Sequence, residues 1–536
     1  MKLAKDILYL RNGKFWTGDA DHPSAEAMMV KDDRILAIGS VCELDKRPEA
    51  KEALIYELNG VTVIPGMSDC HIHVLTSAKW MQSVDVSRTK NCAEMNELLR
   101  KRAAGLGPDE WIYATGLNEM NWDVKVMPEA SDLDAAVIPN PVIVHRICTH
   151  ATVANSRAMK LAGMYERELP GIRRDKDGRA TGVLVEGAQL PVHDAMKKAL
   201  YTRETLLKYL DAFLKHAASL GLTTLHSCSA KSLGMEENLG LYQMLYEKNA
   251  LNCRVYNIHD ELSVPPMGGL IGNDYVRFEG FKLFLDGSIG ARTAAMSFPY
   301  ADDPSTTGML IHEQEDLCAK LRESTERGDH ILSHAIGDRA IEQLVSSIEK
   351  LCAEGIKPLH PYLLNHVEIC TPELIARIAR LPAACIVQPT YVQSDIVMVP
   401  ERLGANEKYA CVWKNFIDAG VRLCGSSDHP IEVLYPLAGV WSLVNRTSWD
   451  GTKVWHGEQK LSLDEALRIY TSNPARAYGT WSWNGSLAVG KVADAVILDR
   501  NIFKIPAEEL KDVRVKQTLL GGKLSYGKIE DWPKYN

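Results

Sequence analysis

The residues of this chain that could do chemistry stand at the ends of apolar runs. Asp69-Cys70-His71-Ile72-His73 follows Val63-Ile64-Pro65-Gly66. In extended backbone, residues two apart point to the same side, so His71 and His73 can present two neutral imidazoles to one divalent cation. An H-x-H pair alone is weak evidence, because neighbouring histidines are common on surface strands. His334, in Ile331-Leu332-Ser333-His334-Ala335-Ile336-Gly337-Asp338, and His366, in Leu363-Leu364-Asn365-His366-Val367-Glu368, each close another apolar run. Taken singly, either reads as a hydrogen-bonded core histidine. Asp428 follows Leu423-Cys424-Gly425-Ser426-Ser427, and an Asp after a strand often caps the next helix. The set gains meaning only if the strands that carry it share one parallel sheet.

The elements support that. Strand-like runs end near His73, His226, His259, Asp286, His334, His366, Gln388 and Asp428. Stretches with apolar residues every three to four positions lie between them, at 206–220, 315–327, 339–352 and 372–380. Eight such units predict an α/β chain with a (β/α)8 TIM barrel over residues 63–479, and this fold places its chemistry at the C-terminal ends of the strands. All of these ends but Gln388 are His or Asp. The interval 75–205, with its own strand-like Pro141–Arg146, reads as an insertion over the barrel mouth after the first strand. Short strands with turns recur at both termini, which predicts a small β-sandwich domain from residues 1–62 and 480–536.

Composition excludes several classes. The chain has 536 residues, 46% hydrophobic and 24% charged, with a net charge of -8. That is ordinary for a globular protein and gives no support for nucleic acid or an anionic membrane as partner. The start Met1-Lys2-Leu3-Ala4-Lys5-Asp6 lacks the apolar core of a signal peptide and no segment reads as membrane-spanning, so the expected location is the cytoplasm. Twelve cysteines, spread without a C-x-x-C pair, read as small buried apolar residues.

Together these segments resemble the amidohydrolase superfamily, and within it the branch called amidohydrolase family 3, which includes N-substituted formamide deformylase-like metal-dependent hydrolases. The resemblance spans nearly the whole chain. It rests on the ordered set P-G-x-x-D-x-H-x-H around His71, Gly221-Leu222-Thr223-Thr224, Phe281-Lys282-Leu283-Phe284-Leu285-Asp286-Gly287-Ser288, H-A-I-G-D, N-H-V-E, G-S-S-D-H-P and Gly490-Lys491-Val492-Ala493-Asp494-Ala495.

The resemblance implies that His71 and His73 bind the more buried ion and His334 and His366 a second, with one or two ions per chain. It implies that Asp428 contacts metal and takes the proton from the attacking water. Lys282 falls where this branch has a lysine that can be carbamylated to bridge two ions. An unmodified ammonium beside cations would be repelled, whereas a carbamate is an anionic ligand. The alternatives are a Lys282–Asp286 pair, or Glu186 as the bridging carboxylate. Imidazole and carboxylate ligands favour zinc, though manganese, iron or cobalt fit the same donors. His150, in a run where relatives have G-H-x-x-x-x-N-S but this chain has Thr149 for the Gly, is expected to touch substrate or the oxyanion. Trp111, Trp122 and Tyr391 are candidates for an apolar pocket, with simple core as the other reading, and Arg292 for a substrate carboxylate, with a salt bridge as the other. The expected reaction is hydrolysis of a carbon–nitrogen bond in a small molecule. Deamination of a heterocycle, hydrolysis of a cyclic amide, an isomerase and a metal-free binding protein are the alternatives. Relatives commonly form oligomers, so a homo-oligomer is expected.

Overall fold

The computed structural model describes residues 7–147, 150–229, 235–259 and 271–528. Eight parallel strands form one sheet in chain order: β1 (Met67–Ile72), β2 (Leu222–Ser229), β3 (Arg254–His259), β4 (Val276–Phe284), β5 (His330–Ala335), β6 (Tyr362–His366), β7 (Ala383–Val387) and β8 (Leu423–Gly425). The runs that predict strands from sequence end within three residues of these bounds. β8 returns to β1 through residues just beyond its end, where Asp428 N donates to His71 O at 2.9 Å and His73 N donates to His429 O at 3.1 Å. Helices Gln314–Arg327, Asp338–Ala353 and Pro372–Ile378 follow the strands as the apolar periodicity predicts. This is the TIM-barrel architecture.

The barrel interior is packed with side chains, as the fold requires. Cys70, Cys228, Ile258, Leu332, Leu363, Ile386 and Cys424 form one buried cluster from seven of the strands. Lys282 of β4 is the register partner of Leu332, so the lysine belongs to the same interior face. Strand packing demands glycine at two points. A Cβ on Gly280, where φ is +155°, would stand 2.1 Å from His330 O, and one on Gly66 would stand 2.1 Å from Thr223 Oγ1. All described cysteines are free thiols, and most are buried.

The described segments near both termini belong with the barrel to one compact unit. They form a four-stranded and a six-stranded sheet. Leu8, Met28 and Val30 of one sheet and Phe15, Val63, Ile497 and Leu519 of the other share a single apolar cluster. Asp494 ties this layer to the barrel: Arg254, at the start of β3, gives it two hydrogen bonds of 2.8 and 3.0 Å, and Gly521 N donates at 2.7 Å.

Residues 77–210 form a second compact unit around a six-stranded mixed sheet. Its central strand Val142–Arg146 alternates as a two-faced strand should. Val142 and Val144 join the cluster containing Leu99 and Ile112, and Ile143 joins the cluster containing Met159 and Val192. No helix among the described residues is long and apolar enough to cross a membrane.

Candidate active site

The seam between β1 and β8 assembles the core of the site. Asp69 accepts from Ser427 N at 3.1 Å, Ser427 Oγ at 2.5 Å and His71 N at 3.2 Å. Burial pushes its carboxyl up to about 7, and these three donors work against that rise. With the backbone bonds across the seam, they set Asp428 beside the H-x-H pair. Asp428 has φ of 54°, a left-handed conformation uncommon outside glycine, which persists only where neighbours over-determine it.

Asp428 Oδ1 stands 3.0 Å from His71 Nε2 and 3.2 Å from His73 Nε2. The three atoms lie within 4.8 Å of one another. Oδ1 is buried and has no hydrogen-bond donor. A carboxylate oxygen and two imidazole nitrogens converge here, with Lys282 Nζ also 2.8 Å from His71 Nε2, and a buried oxygen without a donor is costly. A divalent cation bound by N and O donors satisfies all three, so the donor set fits such a metal. Burial lowers His71 to about 3, with the Lys282 charge acting in the same direction, which keeps the ring neutral as a ligand must be. Burial would raise Asp428, but His71, His73 and His366 outweigh it and hold the carboxyl well below its usual range.

The other predicted residues surround this group. The His366 ring lies 5.6 Å from that of His71 and 4.5 Å from that of His334. Burial, then the proximity of His334, drives His366 well below the usual histidine range. His334 Nε2 is 2.9 Å from Gly287 O and 3.3 Å from Asp286 Oδ1. Lys282 Nζ reaches His71 Nε2 at 2.8 Å. Asp286 accepts three backbone N–H groups, from Ala295 at 2.9 Å, Ile336 at 3.0 Å and Gly337 at 2.8 Å.

Tyr391 is buried, and its hydroxyl donates to Asp428 Oδ2 at 3.1 Å. Arg292 is committed to Asp302 through two hydrogen bonds of 3.2 and 2.7 Å, and Arg402 shares that carboxylate. In the second unit, Trp111 and Trp122 are buried within apolar clusters. His150 and Glu186 pair there at 3.2 Å, both more than half exposed. Thr149 lies outside the described residues, as do Met1–Asp6.

Three contacts had no role in the sequence reading. On the side of the ring away from the site, His71 Nδ1 meets Cys228 Sγ at 3.1 Å. Gln388 Oε1 lies 2.9 Å from His366 Nδ1, and Asn365 Nδ2 lies 2.7 Å from His366 Nε2. A polar residue closing an apolar run was the signal for Gln388. Nothing in the local sequence marks Cys228, whose partner is more than 150 positions away.

The profile described as "Amidohydrolase family" matches residues 55–526. YtcJ of Bacillus subtilis (strain 168), described as an amidohydrolase, is 31% identical over 519 residues, covering 94% of this chain and 96% of its own. The N-substituted formamide deformylase of Arthrobacter pascens is 24% identical over 547 residues, covering 98% and 99%. Among solved structures, an uncharacterized metal-dependent hydrolase from Pyrococcus horikoshii OT3 superposes with a TM-score of 0.77 at 26% identity, covering 94% of this chain and 99% of that one. With a family match over most of its length, this chain belongs to the amidohydrolase family.

Proposed function

We propose that this amidohydrolase is a metal-dependent hydrolase of small N-acyl or N-formyl amines, cleaving the amide carbon–nitrogen bond with water. The observation that carries the metal dependence is the buried, donor-less Asp428 Oδ1 facing His71 Nε2 and His73 Nε2. The full-length likeness to N-substituted formamide deformylase supports the amide-type substrate. His71, His73 and Asp428 hold the first cation, with zinc favoured by the donor types. His334 and His366, whose rings are contiguous with His71, are the ligands of a second. When bound, the cation supplies Lewis acidity that makes water a nucleophile near neutral pH and polarises the carbonyl.

The chain's own residues do the proton work. Asp428, whose carboxyl lies well below its usual range, accepts a proton from the attacking water and returns it to the leaving nitrogen. Lys282 is the residue we assign to carbamylation. An ammonium 2.8 Å from His71 Nε2 would oppose a cation bound to that nitrogen, whereas a carbamate would attract it.

The test is a chelator-treated protein, reloaded with zinc and assayed on a panel of N-formyl amines, N-acyl amines and amino-substituted heterocycles. The expected result is release of acid and amine in equal amounts, abolished by chelation and restored by zinc. Turnover indifferent to chelation, or ammonia release from heterocycles alone, would overturn the assignment.

A further inference from the structure

Strand β7 contributes no ligand to the proposed centre, yet the turn that follows it touches both neighbouring strands at the site. The turn is closed by Tyr391 N donating to Gln388 O at 2.9 Å. From its first residue, Gln388 Oε1 accepts from His366 Nδ1 of β6 at 2.9 Å. The same carboxamide donates through Nε2 to Ser426 Oγ, beyond β8, at 2.9 Å and to Asn365 Oδ1 of β6 at 3.3 Å. From its last residue, the Tyr391 hydroxyl donates to Asp428 Oδ2 at 3.1 Å. The Tyr391 ring lies nearly parallel to that of His366, 13° off and 6.4 Å away.

We propose that the turn Gln388–Tyr391 is a positioning clamp that presets the His366 and Asp428 side chains for metal, using one hydrogen bond to each. The division of the Asp428 carboxylate shows how. Tyr391 occupies Oδ2, leaving Oδ1 as the atom directed at His71 and His73. A carboxylate free to rotate would spread its two oxygens between the ligand position and the solvent side. A fixed one presents a single oxygen, and the ordering cost is met before the ion arrives. Gln388 acts in the same way on His366: with Nδ1–H committed the tautomer and plane are fixed, and Nε2, which meets Asn365 Nδ2 at 2.7 Å, is the nitrogen that a cation would take from that contact. Gln388 also has a donor and an acceptor on one rigid group, so it couples β6 to β8 through the strand between them. Neither residue need touch substrate for this role.

The inference rests on the metal-dependent reading above, and the experiment separates the two. Tyr391→Phe removes one hydroxyl and keeps the ring. Gln388→Leu removes all three bonds of the carboxamide, and Gln388→Glu keeps an acceptor for His366 while losing the donor to Ser426 and Asn365. Zinc affinity of the full-length chain is read by competition with a chromophoric chelator, and kcat and KM are measured on the best amide of the panel. The expected result is zinc binding weakened about 10–100-fold in Tyr391→Phe and Gln388→Leu, the usual scale for partners of ligating side chains, with Gln388→Glu between them and the parent. KM should stay within about twofold while kcat falls, as for a loss felt at the reacting centre. Zinc affinity equal to the parent's in Tyr391→Phe would overturn the clamp, even if kcat dropped. Should Gln388→Leu fail to fold, the Tyr391→Phe and Gln388→Glu pair still decides. A parent chain that binds no zinc would overturn both readings. Variants that lose zinc affinity in a protein that cleaves no amide would leave the clamp standing and remove only the substrate assignment.

Discussion

Under the proposed function, Asp428 and His73 separate two duties, proton transfer and ion binding. Asp428→Asn keeps an oxygen and the size of the side chain but cannot accept a proton at neutral pH. It is expected to fold normally and to lose about 10²-fold or more in kcat, the scale of general-base effects. Activity within a few-fold of the parent would assign the base elsewhere. His73→Ala is the cleaner test of ion binding than His71→Ala. The His73 side chain is 28% exposed, whereas His71 is fully buried and its loss would open a cavity. Elemental analysis of purified His73→Ala should show the metal content falling together with turnover, and full occupancy would remove His73 from the ligand set. The positions of these residues were legible because a polar letter after an apolar run marks a strand end. Tyr391 was legible only as an aromatic near the site, because a hydrogen bond to Asp428, 37 positions away, leaves no local pattern. Arg292 shows the same limit in reverse. Its sequence position suggests a substrate carboxylate, while the fold supplies Asp302 as its partner.

At the scale of elements, the join between β4 and β5 depends on Asp286 more than its single letter suggests. Its carboxylate gathers the backbone N–H groups of Ala295, Ile336 and Gly337, which fixes the loop after β4 against the end of β5, where His334 stands. Asp286→Ala would leave three buried donors unsatisfied. At about 1–3 kcal/mol for each such group, the expected loss of stability is about 3 kcal/mol or more. A denaturant midpoint shift at unchanged slope would measure it. A shift below about 1 kcal/mol would mean that water replaces the carboxylate and that the join is looser than its hydrogen bonds indicate. The barrel strands themselves were readable from apolar runs of strand length separated by helical periodicity. In residues 77–210, the sheet was mostly hidden. Val142–Arg146 stands out for its unbroken apolar run, while Ile112–Leu117 and Ala180–Val185 are interrupted by Thr and Gly, and Val84–Asp85 and Ile172–Arg174 are too short to carry a period.

For the whole molecule, the polar groups packed inside the barrel set its tolerance of acid. Glu279 is fully buried between His226, 2.6 Å away, and Arg277, 2.5 Å away. Burial would raise it, but His226 and Arg277 outweigh that and hold it at about 2. Its contribution is therefore complete above the unfolded value near 4.5 and is lost as pH falls toward 2. His330, at the start of β5, is stacked 4.0 Å from the His360 ring, and neither of its nitrogens has a hydrogen-bond partner among the described residues. Burial lowers it to about 3. Between about 6.5 and 3 the unfolded chain takes up a proton that the native imidazole refuses, so this group also makes stability fall as pH falls. The two effects have the same sign and overlapping windows. The thermal midpoint of the metal-free protein is expected to be insensitive to these groups above about pH 7, to decline from about pH 6.5, and to steepen below about 4.5 as Glu279 begins to titrate. His330→Phe keeps a ring for stacking and forfeits no hydrogen bond, so it should flatten the decline between about 6.5 and 4 while leaving the steeper part in place. Identical slopes for parent and variant across that window would show that His330 does not stay neutral in the native protein, and that the acid sensitivity arises from other groups.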